Sequence, residues 1–124
     1  MKNLVVLVFD DDLVRHPDFL GRCTARFVYR PHADDAVADV MSVSPDLVLM
    51  DYSMGASLTG AQAVAELRGC PDLRELVICA ISSDDRCNQH MVMAGADHAF
   101  TKMALPRHLP ALLDRLNVET PAPV

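Results

Sequence analysis

The hydrophobic residues of the chain fall into short continuous runs that are separated by segments of helical periodicity. The clearest run covers residues 4–9, and weaker or shorter runs follow at residues 27–29, 46–50, 76–81 and 99–101. Uninterrupted runs of this kind, rich in valine, are typical of strands that are buried on both faces of a parallel sheet. The pattern therefore predicts five strands.

Helical spacing of apolar residues separates most of these runs, in stripes at residues 33–41, 61–67, 87–94 and 109–116. Gly69 and Gly95 follow the second and third stripes and predict the ends of those helices. We expect Pro106 and Pro110 to be confined to the start of the last helix. The segment after the first strand is less regular because Pro17 interrupts it, and we expect one short or bent helix near residues 18–26.

The alternation of strands and helices predicts an α/β fold with right-handed crossovers. We expect a flavodoxin-like (βα)5 doubly wound sandwich, with a parallel five-stranded sheet in the order 2-1-3-4-5. A length of 124 residues suits a single domain. The domain is expected to cover residues 1–117, and residues 118–124 are expected to form a short flexible tail.

Acidic, hydroxyl and amino side chains are predicted to gather at one edge of this sheet. They follow the first, third, fourth and fifth strands, and they are Asp10, Asp11, Asp12, Asp51, Ser82, Ser83 and Lys102. Ligands of open parallel sheets bind at the carboxyl ends of the strands, near the switch in strand order. Clustered carboxylates favour a hard cation such as Mg2+. A carboxylate can also attack an activated phosphoryl group, while a lysine and a metal neutralise the developing charge.

The stretches VLVFDDD, DLVLMDYSM, ICAISS and AGADHAFTK resemble the receiver domain of bacterial response regulators of the single-domain, chemotaxis-regulator-like type. The resemblance covers nearly the whole chain and implies that Asp51 accepts a phosphoryl group with help from Lys102 and Ser82. Ser83 stays open as an alternative to Ser82, because the segment before Gly95 is short. The resemblance also implies that Mg2+ is the cofactor, with its site formed by Asp10, Asp11, Asp51 and the carbonyl group of Ser53.

The same resemblance implies a role in two-component signal transduction. A histidine kinase or a phosphotransfer protein would phosphorylate the domain, which would be no enzyme beyond its own phosphorylation and dephosphorylation. The output would pass to an unknown protein by direct contact, through a face that includes Cys87, His90, Ala99 and Arg107. Whether two copies form a homodimer stays open at this point.

Two departures from the family's pattern favour an alternative interpretation. Ala99 stands where the family carries a switching aromatic residue, and Phe100 should point to the opposite face of the strand. Met103 stands where the family usually has a proline after the lysine, often in a cis bond, so a trans Lys102–Met103 bond or a rearranged loop is expected. The alternative is a pseudo-receiver, which would use the same fold as a constitutive protein-binding module.

A third interpretation is a phosphohydrolase of the haloacid-dehalogenase class. Asp10, Asp12 and Val14 fit the DxDx(T/V) motif of that class, in which the first aspartate is the nucleophile and the second is the general acid. Ser82 and Lys102 resemble its later motifs, but no acidic pair follows the lysine. For Asp12 we favour a simpler role as the cap of the following helix.

Composition excludes several other classes. The net charge is −6 with only 11 lysines and arginines, which argues against direct binding of nucleic acid. The four cysteines form no CxxC pair, and this favours free thiols in a reducing cytoplasm, with Cys79 in the core. The apolar start is short and runs into three aspartates, which fits neither a signal peptide nor a membrane span. We therefore expect a cytoplasmic protein.

Overall fold

The computed structural model describes residues 3–21 and 23–119. Within these ranges the chain forms five strands: β1 (Val5–Phe9), β2 (Arg26–Arg30), β3 (Leu47–Met50), β4 (Ile78–Ala80) and β5 (His98–Ala99). The same ranges contain four α-helices: α1 (Ala36–Val43), α2 (Gly60–Arg68), α3 (Asp85–Ala94) and α4 (Leu105–Glu119). None of these helices combines the length and the apolar character needed to cross a membrane.

All strand pairs are parallel, and the order in the sheet is β2-β1-β3-β4-β5. The predicted flavodoxin-like topology is therefore confirmed. The register places Phe9 beside Met50, Met50 beside Ala80, and Ala80 beside Ala99. The residues that follow these four positions consequently leave the sheet at one common edge.

Two apolar layers hold the helices against the sheet. Strand residues of one parity, such as Phe9 and Met50, pack with α1, α2 and α3, while those of the other parity, such as Val8 and Leu49, pack with α4 and the first crossover. Both faces of the central strands are fully buried, which explains their uninterrupted hydrophobic character. Cys79 lies in this core as predicted, and burial raises the pKa of its thiol to about 12.

The first crossover differs from the prediction. The expected helix near residues 18–26 does not form, and two short 3-10 turns, Leu13–Arg15 and Pro17–Leu20, take its place before β2. Pro17 cannot donate a backbone hydrogen bond, and it opens the second turn instead of continuing the first. Each turn buries one leucine against the sheet, Leu13 and Leu20, so the face is covered without an α-helix.

The last helix also differs from the prediction. Pro110 lies inside α4 and is not confined to its start, and the helix continues to Glu119, into the segment that was expected to be a flexible tail. The helix persists through the proline because its leucines pack on the sheet: Leu105, Leu109, Leu112, Leu113 and Leu116. The remainder of the expected tail, residues 120–124, lies outside the described residues.

Replacing Pro110 with alanine should stabilise the protein. Pro110 is exposed and has no N–H to donate to the carbonyl group of Pro106, and alanine restores that donor. We expect the free energy of unfolding in urea to rise by about 1–2 kcal/mol. Pro106→Ala is the matched control, because N–H groups in the first helical turn have no partner within the helix. Equal effects of the two substitutions would contradict this explanation.

Candidate functional site

One ammonium group and two buried carboxylates meet at the carboxyl edge of the sheet. The Lys102 Nζ atom lies 2.8 Å from Asp10 Oδ2 and 3.5 Å from Asp51 Oδ2. Asp10 is fully buried and Asp51 is 7 % exposed. Residues that follow β1, β3 and β5 are therefore brought together as the sequence predicted.

The backbone of the first crossover fixes the Asp10 side chain. Its Oδ1 atom accepts hydrogen bonds from the N–H groups of Asp12 and Leu13, at 2.8 Å and 3.0 Å. Asp12 occupies the N-cap position of the first 3-10 turn, as expected, but the side-chain bonds to the N–H groups of this turn come from Asp10. The Asp12 side chain makes no capping bond and instead lies in the exposed surface, 3.5 Å from Nδ1 of His16. A carboxylate that follows a buried strand directly is better placed to reach these N–H groups.

The Asp51 side chain is held by its own loop and by the start of α2. Its Oδ1 atom accepts a hydrogen bond of 2.8 Å from the N–H group of Tyr52. The N–H group of Gly60 bonds to the Tyr52 carbonyl, and a Cβ atom at Gly60 would collide with the carbonyl oxygen of Asp51. Glycine at this position lets the helix begin directly against the loop that carries Asp51.

The electrostatics of the site oppose the ionised form of Asp51. Burial raises the pKa of Asp51, and the nearby Asp10 carboxylate raises it further, while the Tyr52 N–H and Lys102 offset only part of this effect. Burial also disfavours a charged Lys102, but the Asp10 and Asp51 carboxylates outweigh burial and raise its pKa. Lys102 therefore stays an ammonium group at neutral pH, and one positive charge faces two negative ones.

The carboxylates form a set that suits a divalent cation. Asp10, Asp11 and Asp51 each offer an oxygen atom within 4.8 Å of the others, and Asp11 is exposed to solvent. The Oδ2 atom of Asp10 is buried and makes no hydrogen bond of good geometry, although it lies against Lys102. A hard cation with oxygen ligands, such as Mg2+, would satisfy this oxygen and reduce the repulsion. Ser53, the fourth predicted ligand, is an exposed residue two positions after Asp51.

The two candidate hydroxyl groups lie in different surroundings at the end of β4. Ser82 is 7 % exposed, and its Oγ atom accepts a hydrogen bond of 3.1 Å from the N–H group of Asp84. Ser83 is exposed and lines a cavity that also contains Lys102 and Met103. In this bond the Ser82 hydroxyl is the acceptor, so among the described residues its hydrogen is available to donate.

Asn88 is a buried polar residue that no motif of the sequence singles out. Its Oδ1 atom accepts a hydrogen bond from the Ser82 N–H at 2.8 Å. Its Nδ2 atom donates to the carbonyl groups of Ser82 and Phe100, at 3.1 Å and 3.2 Å. Its spacing of three residues from the apolar Met91 was the available indication that its side chain faces inward.

The two departures at β5 have definite geometries. No peptide bond in the described residues is cis, so the Lys102–Met103 bond is trans. Ala99 is exposed, while Phe100 packs on the opposite side and stacks on His108 with ring centroids 4.7 Å apart. The prediction that Phe100 and Ala99 point to opposite faces of the sheet is confirmed, and no aromatic ring occupies the Ala99 position.

The residues predicted to form one output face lie in different surroundings. Ala99 lines a groove of about 530 Å³ between α3 and β5, together with Asp85, Asn88, Gln89, Val92, Met93 and Thr101. The His90 ring lies instead 6.2 Å from the Tyr52 ring, and Arg107 borders a cavity beside the first crossover. Cys87 and His90 are one helical turn apart, and this side of α3 is opposite the groove. Ala99 and Arg107 therefore line different cavities, and a single output face formed by all four residues stays a prediction.

No known sequence family and no curated protein matches the chain. Solved structures do match it. The signal receiver domain of a signal transduction histidine kinase from Syntrophus aciditrophicus has a TM-score of 0.77 and 24% identity, covering 98% of this chain and 95% of that chain. The receiver domain of a sensor histidine kinase from Pseudomonas aeruginosa, with a magnesium ion coordinated in its active site cleft, has a TM-score of 0.77 and 22% identity, covering 93% of this chain and 98% of that chain.

Chemotaxis protein CheY4 from Vibrio cholerae is similar as well, with a TM-score of 0.75 and 19% identity, covering 93% of this chain and 99% of that chain. The first two of these structures are receiver domains by name, and the third is a chemotaxis protein. At these identities the likeness establishes the fold, so the chain has the flavodoxin-like fold of receiver domains. The resemblance predicted from the sequence is confirmed at that level.

Replacing Asp51 with asparagine should stabilise the fold at neutral pH. The raised pKa of Asp51 means that its ionised form costs stability above that pKa, and the cost disappears as the pH falls below its ordinary value of 3.8. We expect a gain of about 1 kcal/mol at neutral pH that shrinks toward low pH, because Lys102 keeps its closer partner Asp10.

Chemical denaturation of Asp51→Asn across this pH range measures the gain, with Lys102→Met as the contrasting variant. Removing the ammonium group leaves Asp10 and Asp51 without their shared cation and should destabilise the protein. A loss of stability in Asp51→Asn at neutral pH would contradict the electrostatic description of the site.

Proposed function

We propose that the protein is a receiver domain of a two-component signalling system and that Asp51 is its phosphoacceptor. The observation that carries this proposal is the contact of Lys102 with both Asp10 and Asp51 at the carboxyl edge of the sheet. Burying Asp51 beside a second carboxylate costs stability, as its raised pKa indicates. A site that needs Asp51 as a nucleophile explains why such a carboxylate is kept there.

In the proposed reaction an oxygen atom of Asp51 attacks the phosphorus atom of a phosphohistidine. A P–O bond forms, the P–N bond breaks, and the imidazole group leaves. The Lys102 ammonium lies within reach of Asp51 Oδ2 and would neutralise charge on the phosphoryl oxygens. The Ser82 hydroxyl is the acceptor in its bond with Asp84, and its hydrogen would be donated to one of these oxygens.

Mg2+ is the proposed cofactor, and it would supply further positive charge to the phosphoryl group. Asp10, Asp11 and Asp51, with the carbonyl group of Ser53, are the proposed ligands, on the basis of the carboxylate cluster and the buried Asp10 Oδ2. The structure from Pseudomonas aeruginosa, which has the same fold, has a magnesium ion in its active site cleft.

The proposed phosphodonor is a histidine kinase or a phosphotransfer protein, since two of the similar structures are receiver domains of histidine kinases. The domain would catalyse only its own phosphorylation and dephosphorylation, in the cytoplasm. Its output would pass by protein contact at the groove between α3 and β5, where Val92 and Met93 are 45% and 84% exposed. Exposed apolar side chains around a groove are typical of a protein contact.

A constitutive pseudo-receiver is the second candidate, and Ala99 and Met103 favour it. The trans Lys102–Met103 bond also departs from the family's pattern. The intact contacts among Lys102, Asp10 and Asp51 favour phosphorylation over this alternative. For a phosphohydrolase that uses Asp10 and Asp12 there is less support, because Asp12 is exposed, pairs with His16 and lies outside the described carboxylate cluster.

Incubation with acetyl phosphate and Mg2+ should add the mass of one phosphoryl group to the intact protein. Hydroxylamine should remove it, because an acyl phosphate on Asp51 is labile to this nucleophile. The added mass should be lost in Asp51→Asn and after chelation of Mg2+ with EDTA. Intact-protein mass spectrometry measures each result.

Asp12→Asn is the matched control for this experiment, since it removes an exposed carboxylate of the same acidic run without touching the cluster. It should gain the phosphoryl mass as the wild type does. A wild-type protein that gains no mass with Mg2+ favours the pseudo-receiver, and retention of the mass in Asp51→Asn would disprove the assignment of the phosphoacceptor.

A further inference from the structure

Asn88 connects α3 to the two loops that carry Ser82 and Lys102, which follow β4 and β5. It is 4 % exposed, and its two amide hydrogens and its oxygen are all used in bonds to backbone groups. Two of these bonds hold Ser82 through both its N–H and its carbonyl group, and the third holds Phe100, two residues before Lys102. One side chain on α3 is therefore hydrogen-bonded to the residues that follow both β4 and β5.

Losing these hydrogen bonds destabilises the folded protein, because a buried donor or acceptor is then left without a partner. If Ser82 shifts toward a phosphoryl group on Asp51, its N–H and carbonyl groups shift with it. The Asn88 amide then has to follow Ser82, and α3 has to move or turn with Asn88.

The attachment of α3 to the core permits such a movement. Asn88 and Met91 are the buried residues of this helix, and the remainder of its side chains are half-buried or exposed. α3 also packs along α2, and among its buried side chains Asn88 is the polar one, bonded to the residues that follow β4 and β5. If Ser82 and Phe100 move, the Asn88 bonds move with them and favour a different position of α3.

An aromatic connection between β5 and the groove is absent at the expected position. Ala99 has no ring, and the Phe100 side chain stacks on His108 on the other side of the sheet. Asn88 lines the groove between α3 and β5, together with Ala99 and Met93, and also bonds to Ser82. The Asn88 amide therefore contacts both Ser82 and the groove, so a change in the position of Ser82 can alter the groove although no aromatic ring connects them.

We propose that Asn88 is a positioning residue that transmits the phosphorylation state of Asp51 to α3 through its bonds to Ser82 and Phe100. This inference rests on the proposed function and adds the route by which the site controls the groove. The signal would pass through the side-chain amide of Asn88, in a chain that has Ala99 where the family carries a switching aromatic residue.

The test uses the full chain with Mg2+ and beryllofluoride, a stable phosphoryl analogue. Fluorine NMR reports occupancy of the site, and the carbon-13 methyl resonance of Met93 reports the state of the groove. In the wild type, bound beryllofluoride should shift the Met93 resonance. In Asn88→Ala the bound fluorine signal should persist while the Met93 shift is lost.

Asn88→Asp is the second variant, in case alanine disrupts folding. It retains an acceptor for the Ser82 N–H and removes both donors at neutral pH, so it should also lose the Met93 shift. Gln89→Ala is the matched control, because Gln89 is exposed and lines the same groove. This control should keep both the fluorine signal and the Met93 shift.

The outcomes separate the inference from the proposed function. A wild type that binds no beryllofluoride overturns both. A wild type that binds it without any Met93 shift overturns the inference alone. A Met93 shift of wild-type size in occupied Asn88→Ala or Asn88→Asp also overturns the inference alone.

Discussion

The site depends on two neighbouring carboxylates whose negative charge is only partly neutralised by one lysine. Asp10 and Asp51 are buried beside each other, and the ammonium group of Lys102 contacts both. In water these carboxylates would separate, so the fold has to hold them in place against their repulsion. The hydrophobic burial of β1 and β3 provides that restraint, because the two aspartates follow directly from strands whose residues have no exposed surface in their last positions.

Local hydrogen bonds then fix the orientation of each charged group. The first crossover presents two N–H groups to Asp10, and the loop after β3 presents one to Asp51. At the neighbouring edge, Asn88 fixes the backbone of Ser82 by two bonds. Backbone hydrogen bonds therefore fix the acidic side of the site, while Asn88 connects the opposite side to α3.

Much of this could be predicted from the sequence, because strand order and register follow from hydrophobic runs and from the rules for parallel crossovers. Asp10, Asp51 and Lys102 could be assigned to one edge since each follows a strand. The first crossover could not be predicted, because two leucines in 3-10 turns cover the sheet as a helix would. Asn88 was missed because a sequence does not state which backbone groups at distant strand ends lack partners.

The pKa of the Asp51 carboxyl group measures the electrostatic coupling within the site most directly. Carbon-13 NMR of the side-chain carboxyl groups follows this titration without added metal. We expect the pKa of Asp51 to fall in Asp10→Asn and to rise in Lys102→Met, relative to the wild type. A pKa of Asp51 that is the same in all three proteins would contradict it, because the groups would then be too far apart to interact.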